Sequence, residues 1–208
     1  MNNPERINCT KMADEIADKI MLTPRLYEAF CEVPRSVFLD IKKNAFSLNP
    51  QPINSAQWIS SPLTVAKMTM ALEAENCDNI LEIGCGSGYQ AVILSLLAHR
   101  VFSVERIENL AKSAKQRIKN LNINNVHIRY DDGNLGWQSY APYDRILLSC
   151  ACTKVPENLF KQLKIGGILV APIGDKEQYI VKFTKTNSAI NEKRLDDCNF
   201  VPLLGGVQ

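Results

Sequence analysis

The stretch LEIGCGSGYQ, residues 81–90, decides the fold class of this chain. It reads as a short apolar strand that ends in an acid, followed by Gly84, Gly86 and Gly88 in alternation. Glycines at a turn from a strand into a helix let the backbone approach a ligand and expose amide N–H groups at the helix start. The stretch therefore predicts a nucleotide-like ligand at the first strand of an α/β sheet.

From this stretch onward the sequence alternates strands with helices. Apolar runs predict strands at 79–83, 101–104, 125–130, 143–151, 166–173, 178–185 and finally through 199–204. Helical spacing predicts helices at 88–98, at 107–121 and near 156–164. This order predicts a doubly wound, Rossmann-like α/β sheet that is mostly parallel, with an antiparallel C-terminal edge formed by a hairpin around 186–194.

The first 75 residues have a different pattern. Residues 3–20 and 23–33 are amphipathic helical candidates, whereas 47–62 is a polar, proline-punctuated loop that carries Trp58. A long loop inside a compact domain is usually functional or disordered, and the apolar residues argue against disorder. We expect one domain over 1–208, with an N-terminal helical extension and active-site loop in 1–75 and an α/β core in 76–208.

Composition excludes several classes of protein. The net charge is +2 from 24 basic and 22 acidic residues, without the one-signed field of a nucleic-acid binder. The seven cysteines form no CxxC pair and only two histidines could join them, so we predict reduced thiols, a cytoplasmic location and no metal site. No run of 18 apolar residues occurs, so neither membrane insertion nor export is expected.

The acids near the glycine loop identify the ligand more closely. Glu105 ends the second strand, where a carboxylate can accept hydrogen bonds from both ribose hydroxyls. Glu82 would repel a pyrophosphate but can pair with an ammonium group, and Asp132, followed by Gly133, can accept from an adenine amino group. Tyr89 is too bulky for the sixth position of the dinucleotide fingerprint, which disfavours an NAD-dependent dehydrogenase. Together these residues favour S-adenosylmethionine, which carries a sulfonium, an ammonium and a diol but no phosphate.

Four longer stretches extend this interpretation to a family. Residues 81–97, 101–118 and 131–137 resemble segments of the protein-L-isoaspartate O-methyltransferase family, a repair group of class I S-adenosylmethionine-dependent methyltransferases. The fourth stretch, QPINSAQWISSPLTVAKM at 51–68, resembles the family segment PIGxGQTISxPxxVAxM, which ordinary methyltransferases lack. The similarity spans residues 33–204.

The resemblance implies an enzyme that esterifies the free carboxylate of L-isoaspartyl residues in damaged proteins and peptides. Ser60 matches the active-site serine of the family, and Gln57, Trp58 and Ile59 would line the cofactor and the substrate. The residues that would hold S-adenosylmethionine are Glu82, Gly84, Gly86, Ser87, Gly88, Glu105, Asp132 and Gly133. Asn54, Ala56 and Trp58 stand where the family has two glycines and a threonine, which leaves peptide preference and loop closure open.

The chemistry explains why such a site needs no histidine. A carboxylate with a pKa near about 3.9 is already ionised at neutral pH, so its methylation requires no general base. The enzyme must place and desolvate the acceptor, and a hydroxyl such as that of Ser60 can orient it. The pattern SSP also predicts that Ser61 caps a helix with Pro62 at its first position.

The pattern of loops also predicts where a substrate binds, and two alternative functions fit the same residues. A peptide is expected to lie across a cleft between residues 53–61 and the C-terminal FVPLLGG at 200–206. One alternative function is a related methyltransferase that acts on RNA or a small molecule. A second is a catalytically idle cofactor-binding module, favoured if Ala56 and Trp58 block the acceptor pocket. The sequence does not reveal the oligomeric state.

Overall fold

The structure is a computed structural model that describes residues 3–208. Residues 1 and 2 of the predicted N-terminal extension lie outside the described residues. The strands of the main sheet are β3 (Asn79–Ile83), β4 (Arg100–Glu105), β5 (Val126–Tyr130), β6 (Tyr143–Leu148), β7 (Leu163–Gly174), β8 (Gln178–Lys185) and β9 (Ile190–Cys198). A separate hairpin consists of β1 (Gln51–Ile53) and β2 (Gln57–Ile59).

The main sheet has seven strands in the order β5-β4-β3-β6-β7-β8-β9. Strands β3 to β7 pair in parallel, whereas β8 and β9 pair antiparallel to their neighbours. The predicted sheet, mostly parallel with an antiparallel C-terminal edge, is confirmed. The strand order reverses direction between β3 and β6, and such a switch point leaves a crevice at the carboxyl ends of the strands.

The helices are α1 (Asn3–Ala17), α2 (Pro24–Glu32), α3 (Pro62–Leu72), α4 (Tyr89–Ser95), α5 (Glu108–Asn120) and α6 (Glu157–Gln162). Three short 3-10 helices are Arg35–Phe38, Gly133–Leu135 and Gln138–Tyr140. The apolar stripe predicted for 107–121 is the buried face of α5. The two predicted N-terminal helices are present and end slightly earlier than predicted, at Ala17 and Glu32.

Apolar side chains pack against both faces of the sheet. Ile80 and Val101 belong to the core that contains the buried residues of α3 and α4, while Leu81 and Phe102 belong to the core that contains Tyr143 and Leu159 of α6. Successive residues of one strand thus enter opposite cores, as expected for a parallel sheet covered on both sides. This burial explains why these strands read as continuous apolar runs in the sequence.

The last strand differs from the prediction. β9 is Ile190–Cys198 rather than a stretch through 199–204, where only Pro202 makes an isolated bridge, to Ala151. β9 is an edge strand with mostly exposed side chains, so it lacks an apolar pattern. The apolar residues at 200–204 pack over the carboxyl ends of the strands instead, because apolar character predicts burial and not strand geometry.

The loop at 47–62 also contains more regular structure than predicted. It folds into the β1–β2 hairpin, whose turn places Ser55 and Ala56 at positive φ values of 60° and 53°. These three-residue strands are too short to show an alternating pattern. Pro62 is the first residue of α3 and Ser61 its N-cap, as predicted, but the Ser61 hydroxyl donates to Leu48 O at 2.7 Å instead of capping the helix.

Candidate active site

A cavity of about 300 Å³ lies at the carboxyl ends of β3, β4 and β6, next to the strand-order reversal. This volume is at the lower end of the usual range for ligand pockets, about 300–1,000 Å³. The predicted site residues that line it are Gln57, Trp58, Ile59, Ser60, Glu82, Gly84, Gly86, Ser87, Glu105 and Gly133. Gly88 and Asp132 are not among the lining residues. The fold thus brings most of the candidate residues to one place.

The glycine loop follows β3 directly and forms one wall of the cavity. The Gly84 amide donates to Val104 O at 2.9 Å, which holds the start of the loop against β4. Gly88 is the N-cap of α4 with φ of 91°, and a Cβ there would lie 3.4 Å from Ala114 Cβ. The glycine at position 88 therefore serves the turn and the packing of α4 on α5.

Tyr89, the residue that argued against a dinucleotide, is 1% exposed. Its ring packs edge-on against Phe38 at a centroid distance of 5.3 Å. The bulky side chain thus fills space beneath the N-terminal segment, where a small residue would leave a void. This packing explains why the bulky Tyr89 stands at the sixth position of the glycine motif, where the dinucleotide fingerprint has a small residue.

Glu105 closes the end of β4 beside the glycine loop. Its two carboxylate oxygens accept the Gly86 amide at 2.8 Å and the Ile107 amide at 2.9 Å. Each carboxylate oxygen can accept a further hydrogen bond, so the group can also receive both hydroxyls of a ribose. The two backbone bonds fix the carboxylate at the rim of the cavity before any ligand arrives.

Glu82 has no exposed surface, although it lines the cavity. Its carboxyl group accepts the Ser103 hydroxyl at 2.6 Å and the Ser149 hydroxyl at 3.1 Å. Burial raises the pKa of Glu82 to about 8, against the lowering effect of these two hydroxyls. Burial therefore favours the protonated form of Glu82, and a nearby cation would favour the ionised form.

Asp132 and Gly133 follow β5 and have different surroundings. Asp132 accepts the amides of Asn134 at 2.8 Å and of Gly206 at 2.7 Å, so it holds the C-terminal segment. A Cβ at Gly133 would lie 2.5 Å from Ile83 Cγ2. Close packing of the backbone against β3 therefore requires a glycine there, whether or not a ligand is bound. The predicted contact of Asp132 with adenine stays a prediction.

The hairpin and the residue after it form the opposite wall. Ser60 follows β2 and lines the cavity, and Ile59 beside it is buried. Ile53 Cδ1 lies 3.8 Å from the position of a Cβ at Gly86, which brings the hairpin over the glycine loop. Trp58 is 55% exposed at the rim.

Sequence reasoning missed part of the lining. Ser149 and Cys150 follow β6, which lies beside β3, whereas the apolar run 143–151 predicted that both lie within the strand. Arg106, which directly follows Glu105 in the chain, also lines the cavity. The apolar C-terminal residues 200–204, expected at the substrate cleft, do line the cavity.

These residues fit S-adenosylmethionine on structural grounds. Glu105 keeps free acceptor capacity for a diol, Glu82 is a buried acid that a cation would stabilise, and the glycine loop contains no Lys or Arg for a phosphate. Within residues 3–208 no group of His, Cys, Asp and Glu side chains could hold a metal ion.

Comparison with known proteins agrees with this geometry. The sequence model described as protein-L-isoaspartate(D-aspartate) O-methyltransferase (PCMT) matches residues 8–208. The chain belongs to the protein-L-isoaspartate O-methyltransferase family. It is 50% identical over 201 residues to the enzyme of that name from Helicobacter pylori strain G27, covering 95% of this chain and 96% of the relative. A relative of the same name from Syntrophus aciditrophicus is 42% identical over 202 residues, covering 94% and 93%.

Solved structures of this family have the same fold. A protein-L-isoaspartate O-methyltransferase superposes with a TM-score of 0.88 at 26% identity, over 96% of this chain and 67% of that one. A Plasmodium falciparum protein in complex with S-adenosyl-L-homocysteine gives a TM-score of 0.83 at 23% identity, over 94% and 97%.

Family membership confirms the prediction of an S-adenosylmethionine-dependent methyltransferase of the protein-repair class. An RNA or small-molecule methyltransferase, an idle cofactor-binding module and a dehydrogenase are not favoured. The roles of individual residues, Ser60 among them, stay predictions.

Proposed function

We propose that this chain transfers a methyl group from S-adenosylmethionine to the free carboxylate of L-isoaspartyl residues in damaged proteins and peptides, with Ser60 as the residue that orients the acceptor. The observation that carries the proposal is that Ser60, the glycine loop and Glu105 line one cavity at the end of the parallel strands. Their joint position suits a methyl donor and an acceptor that must meet.

Five residues near the carboxyl ends of the strands have proposed roles in holding the cofactor. Glu105 receives the ribose hydroxyls, the backbone of Gly84 and Gly86 borders the amino-acid moiety, and Glu82 is the partner of its ammonium group. Asp132 is proposed to receive the adenine amino group through capacity that its two backbone amides leave free.

The reaction requires little proton chemistry from the protein. Bound S-adenosylmethionine supplies an electrophilic methyl group on a sulfonium. The acceptor carboxylate is ionised at neutral pH, so no side chain has to act as a general base. Ser60 donates one hydrogen bond to the acceptor, while Ile59 and the apolar residues at 200–204 exclude water.

The substrate is proposed to lie between two exposed apolar side chains at the cavity rim. Trp58 is 55% exposed on the hairpin, and Leu204 is 51% exposed on the C-terminal segment. An extended peptide in this position would present its isoaspartyl carboxylate to Ser60. Contacts through its backbone would make the enzyme tolerant of sequence, as a repair function requires.

Several further features are also proposals. The free cysteines within the described residues support a cytoplasmic location, where thiols stay reduced. The near balance of basic and acidic residues supports protein rather than nucleic acid as the partner.

No helix within residues 3–208 has the length and apolar character needed to cross a membrane. We propose that 1–75 and 76–208 form one domain around a shared cavity.

The test uses labelled S-adenosylmethionine and two peptides that differ only in an aspartyl or an isoaspartyl linkage. We expect a base-labile methyl ester on the isoaspartyl peptide alone, and a decrease in kcat of about 10–100-fold in Ser60→Ala. Ser188→Ala, in the exposed β8–β9 turn, is the matched control and should keep wild-type activity. Equal labelling of both peptides would exclude the proposed substrate. Loss of S-adenosylhomocysteine binding in Ser60→Ala would reassign Ser60 to cofactor binding.

A further inference from the structure

Arg35 begins the 3-10 helix Arg35–Phe38 and has no exposed surface. None of the ion pairs within residues 3–208 includes Arg35. A buried guanidinium without a carboxylate partner is costly unless other acceptors surround it. The groups that accept hydrogen bonds from Arg35 therefore show what its burial achieves.

Backbone carbonyls surround the charge instead of a carboxylate. One terminal nitrogen of Arg35 donates to Ala45 O at 2.7 Å and to Ser47 O at 3.5 Å. The other donates to Asn49 O at 3.1 Å and to Ser60 O at 3.0 Å. The planar fork of donors thus joins segment 45–49 to the residue that follows β2.

A second link joins the same two segments. The Ser61 hydroxyl donates to Leu48 O at 2.7 Å, so residues 60 and 61 are held at two consecutive positions. Arg35 holds the carbonyl of Ser60 through a hydrogen bond, and Ser60 itself lines the cavity. Fixing the peptide plane at Ser60 fixes the place from which its side chain extends, and the hydroxyl can then occupy only the few positions that the staggered rotamers allow.

We propose that Arg35 is a positioning residue for methyl transfer, which aims the Ser60 hydroxyl at the acceptor carboxylate by holding the Ser60 carbonyl. Arg35 has no exposed surface and is not among the residues that line the cavity, so the role proposed for it is indirect. Displacement of an orienting group by about 1 Å reduces turnover strongly. A residue that only positions Ser60 can therefore change kcat. This inference rests on the role proposed for Ser60.

The variants are Arg35→Lys and Arg35→Gln. Each is made in two backgrounds, the wild-type chain and the Ser60→Ala variant. Lysine keeps the charge but cannot span two segments, and glutamine removes the charge. The matched control is Arg25→Gln, because Arg25 is an exposed arginine that donates to Asn76 Oδ1 and Leu96 O. For each variant that melts cooperatively, kcat and KM for an isoaspartyl peptide and the Kd of S-adenosylhomocysteine are measured.

We expect Arg35→Lys to lower kcat about ten-fold while the Kd of S-adenosylhomocysteine stays within about two-fold of wild type. In the Ser60→Ala background the same change should alter kcat less than about two-fold, because the hydroxyl that Arg35 positions is gone. Arg25→Gln should keep the wild-type kcat in both backgrounds. A scaffolding role would lower kcat equally with and without the Ser60 hydroxyl.

Three results would overturn the inference. They are a wild-type kcat in Arg35→Lys, equal losses in both backgrounds, and failure of both Arg35 variants to fold, which would assign Arg35 to folding. Failure of the proposed function is distinguishable, because the wild-type enzyme itself would then leave the isoaspartyl peptide unmethylated.

Discussion

The carboxylate of Asp132 accepts the amide of Gly206 at 2.7 Å, which ties the end of β5 to the C-terminal segment. Partial burial acts to raise the pKa of Asp132, but the amides of Gly206 and Asn134 outweigh it and hold that pKa below its usual value. Arg106 adds hydrogen bonds to Gly206 O at 3.2 Å and to Gln208 Oε1 at 3.0 Å. These bonds hold the C-terminal segment, residues 200–208, in place, and its residues 200–204 line the cavity.

Removing hydrogen bonds that hold the C-terminal segment should speed the release of S-adenosylhomocysteine. We expect Arg106→Ala to increase the dissociation rate of S-adenosylhomocysteine about five-fold, because the segment over the cavity loses two anchors. Stopped-flow measurement of ligand release checks this. Arg100→Ala, an exposed arginine at the opposite end of β4, is the control. An unchanged dissociation rate in Arg106→Ala would show that the side-chain bonds of Arg106 to the segment do not help to retain the ligand.

The buried acid Glu82 should make stability depend on pH. Burial raises its pKa from 4.5 to about 8, so the folded protein binds the proton more tightly than the unfolded chain does. Its contribution to the free energy of unfolding is full below pH 4.5 and is lost as the pH rises to about 8. Glu82→Gln should remove this loss, which denaturant unfolding at pH 5.5 and pH 8 can measure.

The exposed Glu157→Gln is the control for that experiment, since Glu157 only approaches Lys154 at 3.9 Å. Parallel pH dependence in wild type and Glu82→Gln would contradict the assignment. If Glu82 pairs with the cofactor ammonium, binding of S-adenosylhomocysteine should also release protons near pH 7. Calorimetry in buffers of different ionisation enthalpy detects that release, and Glu82→Gln should abolish it.

The hairpin turn should tolerate a glycine at Ala56. Ala56 has φ of 53°, a left-handed conformation that costs an L-residue more than it costs glycine. We expect Ala56→Gly to raise the free energy of unfolding by about 0.5–1 kcal/mol, after the greater entropy of glycine in the unfolded chain is subtracted. Ser113→Gly within α5 should lower it instead, by about 0.5 kcal/mol. Destabilisation by Ala56→Gly would exclude strain at this turn.

Trp58 should influence which peptides are methylated. It is exposed at the rim of the cavity, two residues before Ser60, so it can contact side chains that flank the isoaspartate. We expect Trp58→Thr to raise KM about three- to ten-fold for peptides with an apolar flanking residue, and to change KM little for peptides flanked by glycine. Steady-state kinetics on matched peptides checks this. Equal changes for both peptides would place Trp58 outside the specificity contacts.

The sequence by itself determined the fold class, the ligand class and most of the cavity lining. Gly84 and Gly86 precede a helix, Glu105 ends the next strand, and segment 51–68 carries a family pattern around Ser60. These signals are local: a turn, a strand end or a short motif is encoded by neighbouring residues. Local patterns therefore predict which residues gather at the carboxyl ends of parallel strands.

Only the tertiary structure decided which distant groups contact one another. It paired Asp132 with Gly206, placed the Arg35 guanidinium against the Ser60 carbonyl, and made Ile83 the reason for a glycine at position 133. It also assigned the edge strand to 190–198 and left the apolar residues after it to cover the cavity. The hydrogen bonds to Asp132 and from Arg35 join residues far apart in the chain through a backbone amide and a backbone carbonyl, groups that residues of almost every type carry. The sequence therefore contains no local signal for them.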